Sequence, residues 1–165
     1  MSSRRIRLIE ALRETATRLA NGADYRWTHM GSCNCGHLAQ TITPHTRAEI
    51  HAFALARPGD WAEQARDLDI EYCKNSGLAI DSVFEAMFEL GLTPLDISHL
   101  ERLSDPLVLA CFPTAERFLD HRRREDVVRY MRAWAQLLEN QSEPEFFCEG
   151  TASKLREQAA LLARA

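Results

Sequence analysis

The 165-residue chain is predicted to be all-α: a compact bundle of about seven to nine helices, several of them short, in a single helical domain spanning residues 1–165. Three observations predict it. Leu and Ala, 20 and 22 residues, outnumber Val and Ile, 4 and 7, almost four to one, a usage that favours helix over strand. Apolar residues recur at helical spacing between helix-start and helix-stop signals. No stretch alternates apolar and polar residues in the way a half-buried strand does. A domain of this length buries roughly two thirds of its unfolded surface without help, so any metal would be optional for folding.

Taken in order, Ile9, Leu12, Ala16 and Leu19 form the apolar face of a first helix that stops at Asn21-Gly22. Within the next twenty or so residues only Cys35 to Thr43 has helical character. Thr46-Arg-Ala-Glu49 reads as a capping box whose helix runs to Arg57-Pro58-Gly59. Asp60 caps a short helix carrying Trp61. Asp81 begins another, with Val83, Phe84, Met87 and Phe88 inward and Gly91 at its end. Thr93-Pro-Leu-Asp96 combines a cap, a first-turn proline and an acid at the third helical position. Asp105-Pro106 starts a further segment, and Pro113-Thr114 starts or kinks the next. Val127, Met131, Trp134 and Leu138 then mark what should be the longest helix. A last element, Ala152 to Ala163, carries Leu155, Ala159 and Leu162 on one face, which suits bundle closure and pairing with a second chain equally.

Composition excludes several classes. The longest apolar run, Leu107 to Phe112, is far below the ~20 residues that span a bilayer. The basic start at Arg4-Arg5 is followed by Glu10, Arg13 and Glu14 rather than an apolar core, so a cytoplasmic location is expected. A net charge of −4 and a pI near 5.9 give no reason to expect nucleic acid or an anionic membrane as partner. The basic run His121-Arg-Arg-Arg124, followed by Glu125 and Asp126, fits a solvated helix start or a contact to a phosphate or a protein partner. Nucleotide-binding glycine motifs, the His-Glu-x-x-His zinc helix and the Glu-x-x-His pair of di-iron bundles are all absent.

The chemistry concentrates in Trp27-Thr-His-Met-Gly-Ser-Cys-Asn-Cys-Gly-His37, with two cysteines, two histidines and a tryptophan in eleven residues. Five cysteines, an odd number, argue against a disulfide framework and leave free thiols or ligands. The loop from Ala23 to Asn34 is long and aromatic, holding Tyr25, Trp27 and Met30, so it is expected to be ordered and packed. If a helix begins near Cys35, then Cys33, Cys35 and His37 can turn toward one point, and His29 and Cys73 can add further donors. Thiolates and imidazoles suit zinc or iron, bound as an ion or within a metal-containing cofactor, with Trp27 and Met30 as the apolar wall. The spacing Cys-x-Cys-x-His is not the Cys-x-x-Cys-His of covalent haem attachment.

Two alternatives stand beside the metal site. One is a non-catalytic interaction or regulatory module in which residues 23–37 are structural or bind a partner. The other uses Cys33 or Cys35 as a helix-start nucleophile or as a strained Cys-x-Cys redox switch. His99, oriented by Asp96, Glu101 or Asp105, can be nominated as the base of such an enzyme, and it lies within an amphipathic helix. Cys111, in an apolar run, and Cys148, beside Phe146 and Phe147, are assigned to packing.

Overall fold

The computed structural model describes residues 2–69 and 77–141, and within them the chain folds into eight α-helices and one 3-10 turn, with no strand. The expected Ala152–Ala163 element, Cys73 and Cys148 lie outside the described residues. Among the described residues no helix is long and apolar enough to cross a membrane.

Helix α1, Ser3–Ala20, is capped by Ser2 and buries Leu8, Ile9, Leu12, Ala16 and Leu19. Gly22, at φ 99°, turns the chain out of it as expected. Helix α2, Asn34–Ile42, follows the aromatic loop. Helix α3, Arg47–Leu55, begins with the full capping box of Thr46 and Glu49, and α4, Trp61–Asp69, starts where Asp60 Oδ1 accepts the Glu63 amide at 2.9 Å. Helix α5 is Ala79–Glu89; α6, Pro94–Arg102, opens with the Thr93/Asp96 capping box; α7 is Pro106–Ala110, capped by Asp105. A 3-10 turn, Thr114–Glu116, precedes α8, Arg124–Asn140.

Three expectations need correction. Helix α5 starts at Ala79, two residues before Asp81, and Leu78 caps it without a side-chain bond. Asp81 is instead drawn inward, where Arg57 Nη1 meets Oδ1 at 3.2 Å and both side chains are largely buried, so a tertiary ion pair claims the residue that resembled a cap. Among the described residues the longest helix is α1, with 18 residues against 17 in α8. Helix α8 begins only at Arg124 because Asp120 Oδ1 accepts the Arg122 amide at 2.9 Å and Asp126 Oδ2 accepts the Asp120 amide at 3.0 Å, holding the preceding residues in a turn. Cys111 is exposed rather than packed. The five-residue α7 buries only Val108 and turns Leu107 and Cys111 outward.

Short α2 is the hub, packing against α1, α3, α5 and α6, while α1 and α8 lie along one another. Arg5 donates to Gln141 and Arg13 pairs with Glu139, so the start of α1 lies beside the end of α8. Helix α4 packs on α6, and its Gln64, fully buried, points its amide nitrogen at the carbonyls of Ala54, Arg57 and Gly59 at 3.0–3.2 Å. That one amide closes the end of α3, whose last carbonyls have no intrahelical donors.

Gln64→Ala strips the donor from these carbonyls and leaves a void, which is expected to cost about 2–3 kcal/mol. Urea denaturation followed by circular dichroism checks this; a midpoint within error of the parent removes Gln64 from that role.

Candidate functional site

The loop between α1 and α2 is built from its own backbone. Arg26 N donates to Ser32 O at 3.0 Å, His29 N to Arg26 O at 3.1 Å, and both Ser32 N and Cys33 N to His29 O at 2.8 and 2.9 Å. Met30 O receives the Trp61 indole N–H at 3.1 Å, and Gly31 O receives the Gln40 amide at 2.7 Å. A loop so fully paired is ordered, as its aromatic content suggested. The glycines permit its close approach to the bundle: a Cβ on Gly31 would strike the Arg47 carbonyl, and one on Gly36 would strike the Met30 carbonyl.

Helix α2 begins at Asn34, one residue before Cys35, which makes Cys33 the N-cap. Cys33 Sγ accepts the Gly36 amide at 3.4 Å and donates toward Met30 O at 3.6 Å. Asn34 Oδ1 accepts the Cys35 amide at 3.0 Å, while its Nδ2 reaches the carbonyls of Leu100 and Glu101 at 2.7 and 3.0 Å. Read from sequence as a spacer between two cysteines, Asn34 joins the start of α2 to the end of α6. Cys35 is fully buried and directs its Sγ at Ile97 O, 3.8 Å away.

His37 turns elsewhere. Its Nε2 lies 2.9 Å from Asp24 O, and because a carbonyl only accepts, Nε2 carries the proton. Its Nδ1 is buried with no hydrogen-bond partner among the described residues. Tyr25 stacks beside the imidazole at 6.3 Å. His29 lies face to face with His51 of α3, ring centres 3.7 Å apart. His51 Nδ1 accepts the Met30 amide at 3.1 Å and His29 Nδ1 accepts the Gly31 amide at 3.2 Å, so each neutral ring carries its proton on Nε2. His51 is a residue that the sequence motif does not point to.

Cys33, Cys35 and His37 therefore address three different neighbours, and His29 addresses a fourth. Among the described residues no three His, Cys, Asp or Glu side chains stand together as a metal-holding group. Electrostatics run the same way. Burial pushes the Cys33 thiol up to about 12, against the smaller opposing pull of the Gly36 amide. Cys35 is raised well above the ordinary thiol range by burial, with Cys33 and Glu101 adding to it. Burial of this kind favours the neutral thiol, whereas the thiolate is both the nucleophile and the metal ligand. Glu101 is itself raised by burial and by nearby Asp60, although its Oε2 accepts the Ala62 amide at 3.2 Å. His99 meets Ser104 Oγ at 2.9 Å and makes no ion pair with a carboxylate among the described residues.

The loop's two large rings face a different part of the molecule. Trp27 packs on the His121 ring at 4.1 Å, and the Tyr25 hydroxyl donates to the His121 carbonyl. His121 closes the 111–123 connection between α7 and α8, which also holds Phe118 at 97% exposure. A cleft of about 380 Å³ beside it is lined by Leu103, Leu109, Phe118 and Leu119 and by the polar Arg102, Ser104, Arg117, Asp120 and His121. Phe118 leaves little trace in the sequence beyond the Phe118-Leu119 pair between Arg117 and Asp120, in a segment without helical periodicity.

The chain matches no protein-family profile, no curated protein and no solved structure.

Two predictions follow from this geometry. With Cys73 and Cys148 changed to Ser, iodoacetamide near neutral pH is expected to label Cys111 alone, with Cys33 and Cys35 reacting only in denaturant; mass spectrometry reads the sites, and rapid labelling of Cys33 or Cys35 in the folded chain contradicts their protonated, buried state. The second concerns acid. Burial lowers His29, His37 and His121, His29 also feeling His51, Arg47 and Arg26. Each then binds fewer protons folded than unfolded, so stability is complete above the ordinary imidazole value of about 6.5 and falls as pH drops below it. The melting temperature is expected to decline from pH 7.5 to 5, and less steeply in His29→Asn, which keeps an acceptor near the Nδ1 position; an unchanged slope in the variant counts against His29.

Proposed function

We propose that this chain is a non-catalytic helical interaction module in which residues 23–37 are a structural brace and the partner-binding surface is the neighbouring 111–123 connection. One observation carries the reading: Phe118, almost wholly exposed, sits on a connection that Tyr25 and Trp27 hold by way of His121. Holding a backbone in one conformation costs about 1–2 kcal/mol per residue, and an exposed apolar tip returns none of it in folding. A rigid tip does lower the cost of association.

Other contacts stiffen the same connection. Arg117 donates to Phe112 O at 3.0 Å, and Arg129 pairs with Glu116 at 2.6 Å while its guanidinium lies over the Phe112 ring at 5.1 Å. The Cys-x-Cys-x-His stretch then serves the site indirectly, by fixing where the loop leaves α2. A zinc or iron site on Cys33, Cys35 and His37, with His29 and Cys73 joining, would require both thiols to ionise in a place that favours their neutral form.

A photo-reactive benzoylphenylalanine at position 118 is expected to cross-link a discrete partner in cells producing the chain, while the same residue at Leu55, an exposed apolar position on α3, is not. Equal labelling at both positions, or none, removes the reading. Anaerobically purified protein is expected to carry no stoichiometric zinc, iron or copper; stoichiometric metal that disappears in Cys33→Ser/Cys35→Ser restores the metal site in its place.

A further inference from the structure

Granting the docking surface just proposed, its chemistry narrows the partner. The cleft floor is apolar, formed by Leu103, Leu109 and Leu119, with Phe118 standing as one wall. Its volume of about 380 Å³ accommodates one large apolar or aromatic side chain and the backbone around it.

The rim carries more positive than negative charge. Arg102 and Arg117 line it against Asp120, and Arg122 lies close enough to the lining His121 to act on its charge, as Asp120 and Arg102 do. Arg117 spends its donors on backbone carbonyls, Phe112 O and Ala110 O, and among the described residues it makes no ion pair with a carboxylate. Among the described residues, Arg122 and Arg123 pair with no carboxylate either, although the chain as a whole is acidic. The opposing charges are Asp120, whose Oδ1 is occupied by the Arg122 amide, and Asp60, which meets Arg102 at 3.4 Å in an exposed pair. Exposed pairs of that kind contribute little and exchange readily for a competing carboxylate.

We infer that the cleft between Phe118 and Leu103 docks an acidic peptide segment of another protein, seating one large apolar or aromatic side chain in the cleft while flanking Asp or Glu residues meet Arg102, Arg117 and Arg122. The apolar anchor supplies most of the affinity and the arginine rim supplies orientation and encounter rate. A basic segment is rejected by the same rim. The exposed backbone of the connection moves little on binding, because Tyr25, Trp27 and Arg129 already hold it.

The test is a selection from a random 12-residue peptide display library against the full chain, with Phe118→Ala as counter-target. Phe118 is exposed, so this variant folds, and circular dichroism verifies it. Enriched peptides are expected to carry a Phe, Trp or Leu flanked by Asp or Glu. A synthetic copy of the consensus is expected to lose about tenfold or more in affinity for Phe118→Ala, and to bind more weakly as salt rises from 0.1 to 0.5 M. In Arg102→Glu/Arg122→Glu the preference is expected to turn toward the same peptide with Lys in place of its acids. Enrichment that depends on Phe118 but lacks acidic residues overturns the acidic partner and leaves the docking surface standing. Enrichment indifferent to Phe118, or none, overturns both.

Discussion

The structure depends on burying the first turn of α2. Asn34 through Ala39 are all buried, and the helix is surrounded by α1, α3, α5 and α6. A helix N-terminus presents amides with no intrahelical acceptor, and in this position water does not reach them. Each must be met by protein. Cys33 Sγ takes Gly36 N, Asn34 Oδ1 takes Cys35 N, and Cys33 O takes His37 N at 2.8 Å. The same requirement explains the glycines: Gly36 is the only residue type that lets the Met30 carbonyl close over the turn.

A thiol is a weak acceptor, and Ser or Asp would cap more strongly. Cys33 is 2% exposed, however, and its surroundings are largely apolar. A carboxylate there would carry a desolvation cost larger than the gain from a better cap, and a hydroxyl would have more polarity to satisfy in the same space. Cysteine behaves as a small hydrophobe that still offers a lone pair to one amide. The concentration of soft side chains that resembles a ligand set is, on this account, the composition that a buried helix start selects. Its raised thiols are a consequence of the same burial, which links packing directly to the loss of nucleophilic character.

Much of the fold was legible because its signals are local. The boxes at Thr46/Glu49 and Thr93/Asp96 need only residues three apart, and the apolar faces of α1 and α8 need only a period. The departures come from tertiary contacts, turn hydrogen bonds and helix length, none of which a period or a cap motif encodes. Asp81 resembles a cap until Arg57, 24 residues earlier, claims it. Cys111 lies in an apolar run but on the outer face of a helix too short to bury both sides. In the candidate site the ordered, packed loop and the helix start near Cys33 were readable. The directions of the side chains were not, because Asp24, Ile97 and His51 decide them and nothing in the spacing of the motif names those partners. Phe118 left still less trace, since exposure has no pattern in sequence.

The brace and the tip belong to one mechanical unit. His37 Nε2 fixes Asp24, Asp24 holds Arg47 at 2.8 Å and Arg26 at 3.2 Å, and the adjoining Tyr25 and Trp27 reach across to His121. Displacing α2 therefore displaces the loop, and displacing the loop withdraws two of the contacts that hold the 111–123 connection. The 111–123 connection, proposed above as a docking surface, takes its rigidity from the core through a chain of single hydrogen bonds and ring contacts. Damage at the buried turn is thus transmitted to an exposed surface that none of the damaged residues touches. Loss of binding through Cys33, Asn34 or His37 substitutions, with Phe118 intact, is the expected signature of that coupling, and it separates a positioning role for the cysteine and histidine stretch from a direct one.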